Sequence, residues 1–224
     1  DEKEILQERI DRNGVPIAGF NPPFPVFANS DSTDPMVSLS YNVNDDIMVY
    51  ATYQEGFRGG GTTARPTATT RVPFGPETLK NFEIGMKSDL LSNRLRLNVT
   101  VFDMTYEDMQ ITTAGQDQNG SAAWLTANDG EATIQGLEVE VQSTIGEHWL
   151  VDGSIGNTDF QYVRVPTLQD CLDKGLPQAS CTGLIDVDSN PGRTPEWKAA
   201  LNVGYITTLT NGSQLSLRYG ITYQ

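Results

Sequence analysis

The amino-acid sequence predicts an all-β fold built from about eight antiparallel strands, and three observations lead to this prediction. Apolar and polar residues alternate with a period of two in successive segments from residue 36 onwards. Residues that favour turns separate these segments, and the connections are alternately short and long. No stretch approaches the ~18 consecutive apolar residues of a membrane-spanning helix. Periodicity alone fits both a soluble β-sandwich with one solvated face and an antiparallel transmembrane β-barrel.

Each predicted strand separates its apolar and polar side chains onto opposite faces. In Arg94–Val101, leucines and valines alternate with Arg96, Asn98 and Thr100. This period indicates a strand, because successive side chains of an extended chain point to opposite sides. The predicted strands are Met36–Val43, Ile47–Tyr53, Leu79–Lys87, Arg94–Val101, Thr133–Gln142, Trp149–Ile155, Trp197–Tyr205 and Gln214–Tyr223.

The connections between these strands are of two kinds. Some are tight turns rich in Asn, Asp and Gly, whereas others are polar and longer than a compact soluble domain usually keeps. Short turns at one end of a sheet and long loops at the other are typical of outer-membrane barrels, so the connections favour the barrel. The tight turns are Asn44–Asp46, Asp89–Asn93, Ile145–His148 and Thr210–Ser213, and the long connections are Gly56–Gly75, Asp108–Gly130 and Val163–Thr194.

In a membrane barrel, one face of every strand meets lipid and the other meets a watery lumen. We therefore expect the apolar faces to contact lipid and the polar faces to line the lumen. A shift of one residue in register would exchange the two sets. The residues expected to face lipid are Leu97, Val99, Leu137, Val139, Leu201 and Val203, and those expected to face the lumen are Arg96, Glu138, Glu140 and Lys198.

Residues 1–35 lack the alternating pattern. Asp1–Arg12 is rich in charge and predicts a short helix, and prolines at positions 22, 23, 25 and 35 interrupt regular structure. Because Met36–Val43 runs towards a short turn, the segment before it lies on the side of the long loops. We therefore assign residues 1–35 to an external loop.

Charge and composition argue against several functions. The chain has 15 Lys and Arg against 29 Asp and Glu, and a net charge of −14 argues against a nucleic-acid binder. A single histidine argues against a His-based zinc site. Residues 186–192 are similar to the start of a calcium loop, but the glycine falls one place late and position twelve is Trp197. No nucleophile–base pair stands out, so we predict no metal, no cofactor and no catalytic residue.

A series of motifs occurs in a recognisable order. Tyr50–Gly61 is an aromatic strand that ends in Gly-Phe-Arg and glycines, and Phe74–Ser88 contains Pro-Glu-Thr followed by Phe-Glu-Ile-Gly-Met-Lys. In this order, and with the motifs that follow them, these segments resemble the barrel strands of TonB-dependent receptors over residues 36–224. The later motifs are Asn93–Asn98 with Phe102 and Tyr106–Gln110, then Asn128–Glu140, then Pro191–Lys198.

The resemblance implies a barrel of about 22 strands with an N-terminal plug domain inside it. We find about eight strands, and neither a plug, an energy-coupling box nor an aromatic C-terminus, so we expect an internal part of such a barrel. A complete eight-stranded barrel and a soluble β-rich adhesion module are the alternatives. The resemblance places residues 36–224 in the barrel domain, in contact with lipid in the outer membrane of a Gram-negative bacterium.

The resemblance also implies active import of a scarce nutrient, above all a ferric siderophore, with vitamin B12, haem and glycans as other cargoes of the family. Energy is expected from the TonB complex through the plug. Guanidinium groups suit anionic ferric complexes and aromatic rings stack on ligands, whereas solvated loop charge and an interfacial aromatic girdle are the structural alternatives. The candidate ligand residues are Arg58, Arg65, Arg71, Tyr106 and Trp124.

The cysteines are the last feature of note. Cys171 and Cys181 both lie in the long connection Val163–Thr194. In a receptor of this kind the connection is external, and the cell surface is oxidising. We therefore expect a Cys171–Cys181 disulfide, with two free thiols as the alternative.

Overall fold

The computed structural model describes residues 2–5, 26–29, 31–62, 73–116, 122–173, 185–189, 191 and 194–224. Within these residues the chain is almost entirely strand, which confirms the predicted all-β fold. No helix in this part of the chain is long and apolar enough to cross a bilayer. The elements are β1 (Glu2–Ile5), β2 (Val26–Asn29), β3 (Met36–Asn44), β4 (Ile47–Arg58), β5 (Gly61–Thr62), β6 (Pro73–Phe74), β7 (Glu77–Leu90), β8 (Leu95–Gln116), β9 (Ala122–Ile145), β10 (Trp149–Arg164), α1 (Leu168–Asp173), β11 (Trp197–Thr208) and β12 (Gln214–Tyr223).

Eight of these strands form one antiparallel sheet in the order β12-β11-β10-β9-β8-β7-β4-β3. The eight strands match the eight predicted segments, and tight turns join alternate pairs at one end of the sheet. Asn side chains close two of these turns. The Asp46 N–H donates to Asn44 Oδ1 at 2.9 Å, and the Ser213 N–H donates to Asn211 Oδ1 at 3.0 Å. Gly212, with a φ of 81°, supplies the left-handed conformation that the second turn needs.

The strands that border the predicted connection Asp108–Gly130 are much longer than the sequence indicates. β8 has 22 residues and β9 has 24, so most of this connection is a β-hairpin rather than a loop. The prediction was wrong because it followed apolar alternation, which stops before this region. Backbone pairing continues without it, and the hydroxyls of Thr112 and Thr126 lie 2.8 Å apart across the two strands.

The N-terminal segment also differs from its prediction. Glu2–Ile5 is a strand that pairs with Val26–Asn29, so the helix predicted for Asp1–Arg12 is wrong in its first turn. Pairing with a partner distant in the sequence has overridden the local preference of these charged residues, as tertiary context commonly does. The other residues of this predicted helix lie outside the described part of the chain.

The register of the large sheet places apolar side chains in continuous rows. Ile84 pairs with Val101, and Val101 pairs with Leu137. The opposite side carries charged and hydroxyl groups, and the two sides agree with the partition predicted from the sequence. We call the two sides the apolar face (Leu39, Val49, Phe82, Ile84, Met86, Leu97, Val99, Val101, Leu137, Val139, Ile155, Leu201, Val203, Leu217, Tyr219 and Ile221) and the polar face (Tyr50, Glu83, Lys87, Arg96, Asn98, Thr100, Glu138, Glu140, Asp152, Lys198, Asn202 and Arg218).

Large apolar side chains of this face are exposed in the isolated chain. Leu39 is 75% exposed, and Ile84 and Leu217 are each more than half exposed. A contiguous apolar surface of this kind needs a partner, because soluble monomers rarely leave one uncovered. Its extent over all eight strands is what contact with lipid requires.

Glycines on the polar face make room for aromatic side chains from neighbouring strands. A Cβ atom built on Gly85 would lie 2.4 Å from the ring of Tyr50, so any larger residue here would have to displace this ring. The Tyr50 hydroxyl donates to Glu83 Oε1 at 2.6 Å and lies 3.2 Å from Thr100 Oγ1. Covering glycines with aromatic rings in this way compensates for the side chain that glycine lacks.

The large sheet is open. β3 and β12 form its two edges, and no pairing joins them in the described part of the chain. A closed eight-stranded barrel would require that pairing. The structure therefore favours a segment of a larger barrel over the small-barrel alternative.

Candidate functional site

The candidate site lies at the end of the sheet opposite the tight turns. There β4 ends at Arg58 and β7 begins at Glu77, and these two residues pair directly. The Glu77 side chain is only 9% exposed, whereas that of Arg58 is 63% exposed. A nearly buried carboxylate therefore sits beside an exposed guanidinium where the first long connection leaves the sheet.

Arg58 is held by the protein on one side. Its Nε lies 3.1 Å from Glu77 Oε1, and its Nη2 donates to Gln110 Oε1 at 2.7 Å. This residue was a candidate ligand group from its sequence, and the structure gives it a structural partner as well. The Nε and Nη2 groups of Arg58 are both engaged by Glu77 and Gln110, so an anion from solvent would meet the Nη1 side of the exposed guanidinium.

Two amide side chains join the first long connection to the β8–β9 hairpin. We call residues 58–62 and 73–77, which include β5 and β6, the neck of this connection. Gln110 Nε2 donates to the carbonyl oxygens of Gly59 and Gly75, each at 3.0 Å. Asn128 Oδ1 accepts from the Gly75 N–H at 2.6 Å. Sequence reasoning missed Gln110 and Asn128 as site residues, although each stands at one end of a motif that the family resemblance used.

A second group of residues lies on the polar face just below the neck. Tyr106 pairs with Ala132, and Ala132 pairs with Tyr162. Ala132 has no exposed surface, as expected for a small side chain between two large ones. The rings of Phe160 and Tyr162 pack edge to face with centroids 4.9 Å apart. We call Tyr106, Phe160 and Tyr162 the aromatic row.

The register separates Tyr106 from the residues of an interfacial girdle. Tyr53 pairs with Phe82 on the apolar face, where a girdle belongs, whereas Tyr106 lies on the opposite side of the sheet. Tyr106 therefore faces the same space as Glu83 and Glu138. Sequence alone left both positions open for Tyr106, and the structure places it on the polar face.

The aromatic row lies beyond the upper limit of the apolar face. Asp103 and Gln135 follow Val101 and Leu137 on this face, and Gln135 Nε2 donates to Asp103 Oδ2 at 2.6 Å. Tyr106 lies three residues beyond Asp103 along β8. The aromatic row is therefore at the loop end of the sheet, outside the apolar band. At the opposite end, the rings of Trp149 and Tyr205 pack 4.9 Å apart at the lower limit of the apolar face.

The remaining candidates from the sequence are only partly described. Arg65 and Arg71 lie outside the described residues. The backbone of Trp124 belongs to β9 and pairs with Ala114, but its side chain lies outside the description. Cys171 belongs to α1 and Cys181 lies outside the described residues, so their disulfide stays a prediction.

Comparison with known proteins gives a consistent result. A family model described as "TonB dependent receptor-like, beta-barrel" matches residues 9–224. A probable TonB-dependent receptor of Bordetella pertussis, BfrD, is 26% identical over 180 residues, which are 74% of this chain and 22% of the relative. The ferripyoverdine receptor of Pseudomonas aeruginosa is 26% identical over 137 residues, 60% of this chain and 16% of the relative. The chain thus spans about a fifth of the length of these curated relatives.

Solved structures agree with the family match at the level of the fold. The ferric yersiniabactin uptake receptor FyuA of Yersinia pestis superimposes with a TM-score of 0.68 at 19% identity, and covers 93% of this chain and 27% of its own. The ferric preacinetobactin receptor BauA of Acinetobacter baumannii gives a TM-score of 0.56 at 22% identity, with 90% and 26% covered. The chain therefore belongs to the TonB-dependent receptor β-barrel family, whose members lie in the outer membrane of Gram-negative bacteria.

Proposed function

We propose that this chain forms part of the wall and the external loops of a receptor that imports a ferric siderophore with energy from the TonB complex. One observation carries the proposal: the aromatic row and Arg58 both lie on the polar face at the loop end of the sheet, above the apolar band. In the family, this is the side from which a ligand enters. The named relatives include receptors for ferripyoverdine and ferric yersiniabactin, which supports the same cargo class.

The chemistry of these residues suits such a cargo. A guanidinium binds carboxylates and other planar anionic groups through paired donors. Tyrosine rings stack on flat conjugated groups and keep a hydroxyl for hydrogen bonding. Ferric chelates combine anionic oxygens with planar groups, so the presence of Arg58 and the aromatic row on one face fits them better than it fits an apolar cargo. The lumen-facing carboxylates and the apolar face then belong to the barrel wall.

Uptake by whole cells tests the cargo. The full-length protein would be produced in an iron-limited strain that lacks its own siderophore receptors, and radioactive iron would be supplied as ferripyoverdine or ferric yersiniabactin. We expect uptake of at least one complex, and we expect deletion of the tonB gene to abolish it. Energy-dependent uptake of haem or vitamin B12 with no uptake of either ferric complex would contradict the proposal.

A pair of tyrosine variants tests the site. Tyr106→Ala is expected to weaken binding of the imported complex about three- to tenfold, the loss of one stacked ring. Tyr219→Ala on the apolar face is the matched control and should leave binding unchanged. Affinity is measured with labelled complex on whole cells, at equal amounts of receptor in the outer membrane. Equal losses for both variants would show that the polar face does not contribute specifically.

A further inference from the structure

The β8–β9 hairpin leaves the ladder of the sheet just where the neck begins. Pairing between β7 and β8 ends at Thr78 and Glu107. The next residue, Asp108, has a φ of 51° and lies in a register shift between β8 and β9. This bulge releases the Asp108 carbonyl from the ladder. Above this point, side chains rather than the backbone ladder connect the hairpin to the neighbouring strands.

At the bulge, the side chains of Glu77 and Asn128 form hydrogen bonds with backbone groups that the ladder no longer pairs. The Gln110 N–H donates to Glu77 Oε2 at 2.7 Å, which replaces the missing ladder bond. Asn128 Nδ2 donates to the freed carbonyl of Asp108 at 2.8 Å. These two side chains therefore supply partners for the backbone groups that the ladder no longer pairs where the hairpin leaves the sheet.

The same pair of amides holds both segments of the neck. Gln110 and Asn128 lie directly opposite each other in the β8–β9 register. Gln110 Nε2 reaches the carbonyl of Gly59 in the first segment, and Asn128 Nδ2 reaches the carbonyls of Gly75 at 2.9 Å and Pro76 at 3.0 Å in the second. The cross-strand pair of Gln110 and Asn128 therefore binds both the start and the end of the neck.

The two segments of the neck are themselves joined. Gly61 pairs with Phe74. The approach is close, because a Cβ atom on Gly60 would lie 2.4 Å from the carbonyl oxygen of Phe74. The neck is thus a small closed unit, fastened at both ends to the hairpin.

We propose that Gln110 and Asn128 are positioning residues that make the neck and the β8–β9 hairpin move as one body. The neck carries the connection that contains Arg65 and Arg71. Gln110 and Asn128 fix both ends of this connection relative to the hairpin. A ligand that displaces the hairpin then displaces both segments of the neck with it. This last step, but not the coupling itself, rests on the proposed function.

Hydrogen exchange of the full-length protein in detergent or nanodiscs tests the coupling without any ligand. In Asn128→Ala, exchange is expected to rise at least about fivefold at Gly75, and by a similar factor at Gly59, Gly61 and Thr62, for which the structure gives no hydrogen bond with Asn128. Asn98→Ala is the matched control, since Asn98 also lies on β8–β9 but donates to Glu140 far from the neck. A rise confined to the Gly75 amide, with Gly59, Gly61 and Thr62 unchanged, would overturn the proposal.

A second variant tests the coupling independently, so that misfolding of Asn128→Ala would not leave it undecided. Gln110→Ala removes the contacts with Gly59 and Gly75 and leaves Asn128 in place. It should raise exchange in both neck segments, and unchanged protection there would equally refute the coupling. Asn128→Asp keeps an acceptor for the Gly75 N–H but places a carboxylate against three carbonyl oxygens, so it should resemble Asn128→Ala rather than the wild type.

Binding of ferripyoverdine separates the coupling from the proposed function. If the wild type binds this complex, both alanine variants should bind it several-fold more weakly, mainly through faster dissociation. Raised exchange with unchanged affinity would contradict the role of the coupling in ligand capture. Failure of the wild type to bind any ferric siderophore would count against the proposed function, while the exchange data would still decide the coupling.

Discussion

Val139 and Glu140 are neighbours in β9, yet they lie on opposite sides of the sheet. Val139 pairs with Val99 and Ile155 on the apolar face. Glu140 accepts a hydrogen bond from Asn98 Nδ2 at 3.3 Å on the polar face. At the scale of single residues, therefore, the alternation along each strand decides which side chains meet lipid and which meet water.

This pair gives a sharp test of the facing. In the full-length barrel, Val139→Arg should destabilise the protein by about 2–4 kcal/mol, because the cation would lie within the lipid band. Glu140→Arg introduces the same side chain one residue further on and should be tolerated. Stability is measured by urea unfolding in lipid vesicles. A tolerated Val139→Arg together with an unfolded Glu140→Arg would show that the two faces are assigned the wrong way round.

At the scale of elements, the strands extend well beyond the apolar band. β4 continues past Tyr53 to Arg58, and β8 and β9 continue past the bulge at Asp108. Polar contacts stabilise these extensions, such as the Lys80–Glu107 ion pair at 2.6 Å. The external end of the sheet is therefore built from ordered hairpin as well as loop, which gives the neck a firm support.

The connection between β10 and β11 carries the predicted disulfide. Cys171 lies in the short helix α1, and a bond to Cys181 would close a loop of about ten residues and restrict the unfolded chain by about 2–3 kcal/mol. We expect no reactive thiol from these two residues when the protein is denatured without reductant, and two after reduction. Labelling with a maleimide reagent followed by mass spectrometry measures this. Two reactive thiols in the unreduced protein would contradict the prediction.

At the scale of the whole molecule, the open edges of the sheet determine the free-energy cost of placing this chain alone in a bilayer. β3 and β12 each present one side without a partner strand in the large sheet. Lipid cannot satisfy unpaired N–H and C=O groups, and each such group costs several kcal/mol in a bilayer. A barrel avoids this cost because closure pairs every edge.

Residues 1–224 produced alone should therefore fail to form a stable membrane protein. We expect aggregates or edge-to-edge oligomers in detergent, without the heat-resistant compact band of a closed barrel on gel electrophoresis. The full-length protein under the same conditions is the control. A monodisperse and heat-resistant monomer of residues 1–224 would favour the closed eight-stranded alternative, and energy-dependent uptake by it would contradict the proposed function.

The sequence by itself determined the strands, the two faces and the tight turns. These features are local: the period of two fixes which side chains share a face, and Asn, Asp and Gly fix the turns, as at Asn44 and Gly212. The sequence also contained the motifs that lead to the family. Residue type and expected position, in the first long connection for Arg58 and near a strand end for Tyr106, predict these two as ligand residues but do not indicate their neighbours.

Only the tertiary structure decided how the loop end is assembled. Gln110 and Asn128 have no local pattern that marks them as contact residues, and their importance comes from the carbonyl groups of Gly59, Gly75 and Pro76, which lie 35 or more positions away in the sequence from the amide that binds them. The pairing of Glu2–Ile5 with a distant strand and the full length of β8 and β9 are likewise set by backbone partners, which no side-chain period records. Segments distant in the sequence form hydrogen bonds only where the fold brings them together, and these segments come together only when the whole sheet has formed.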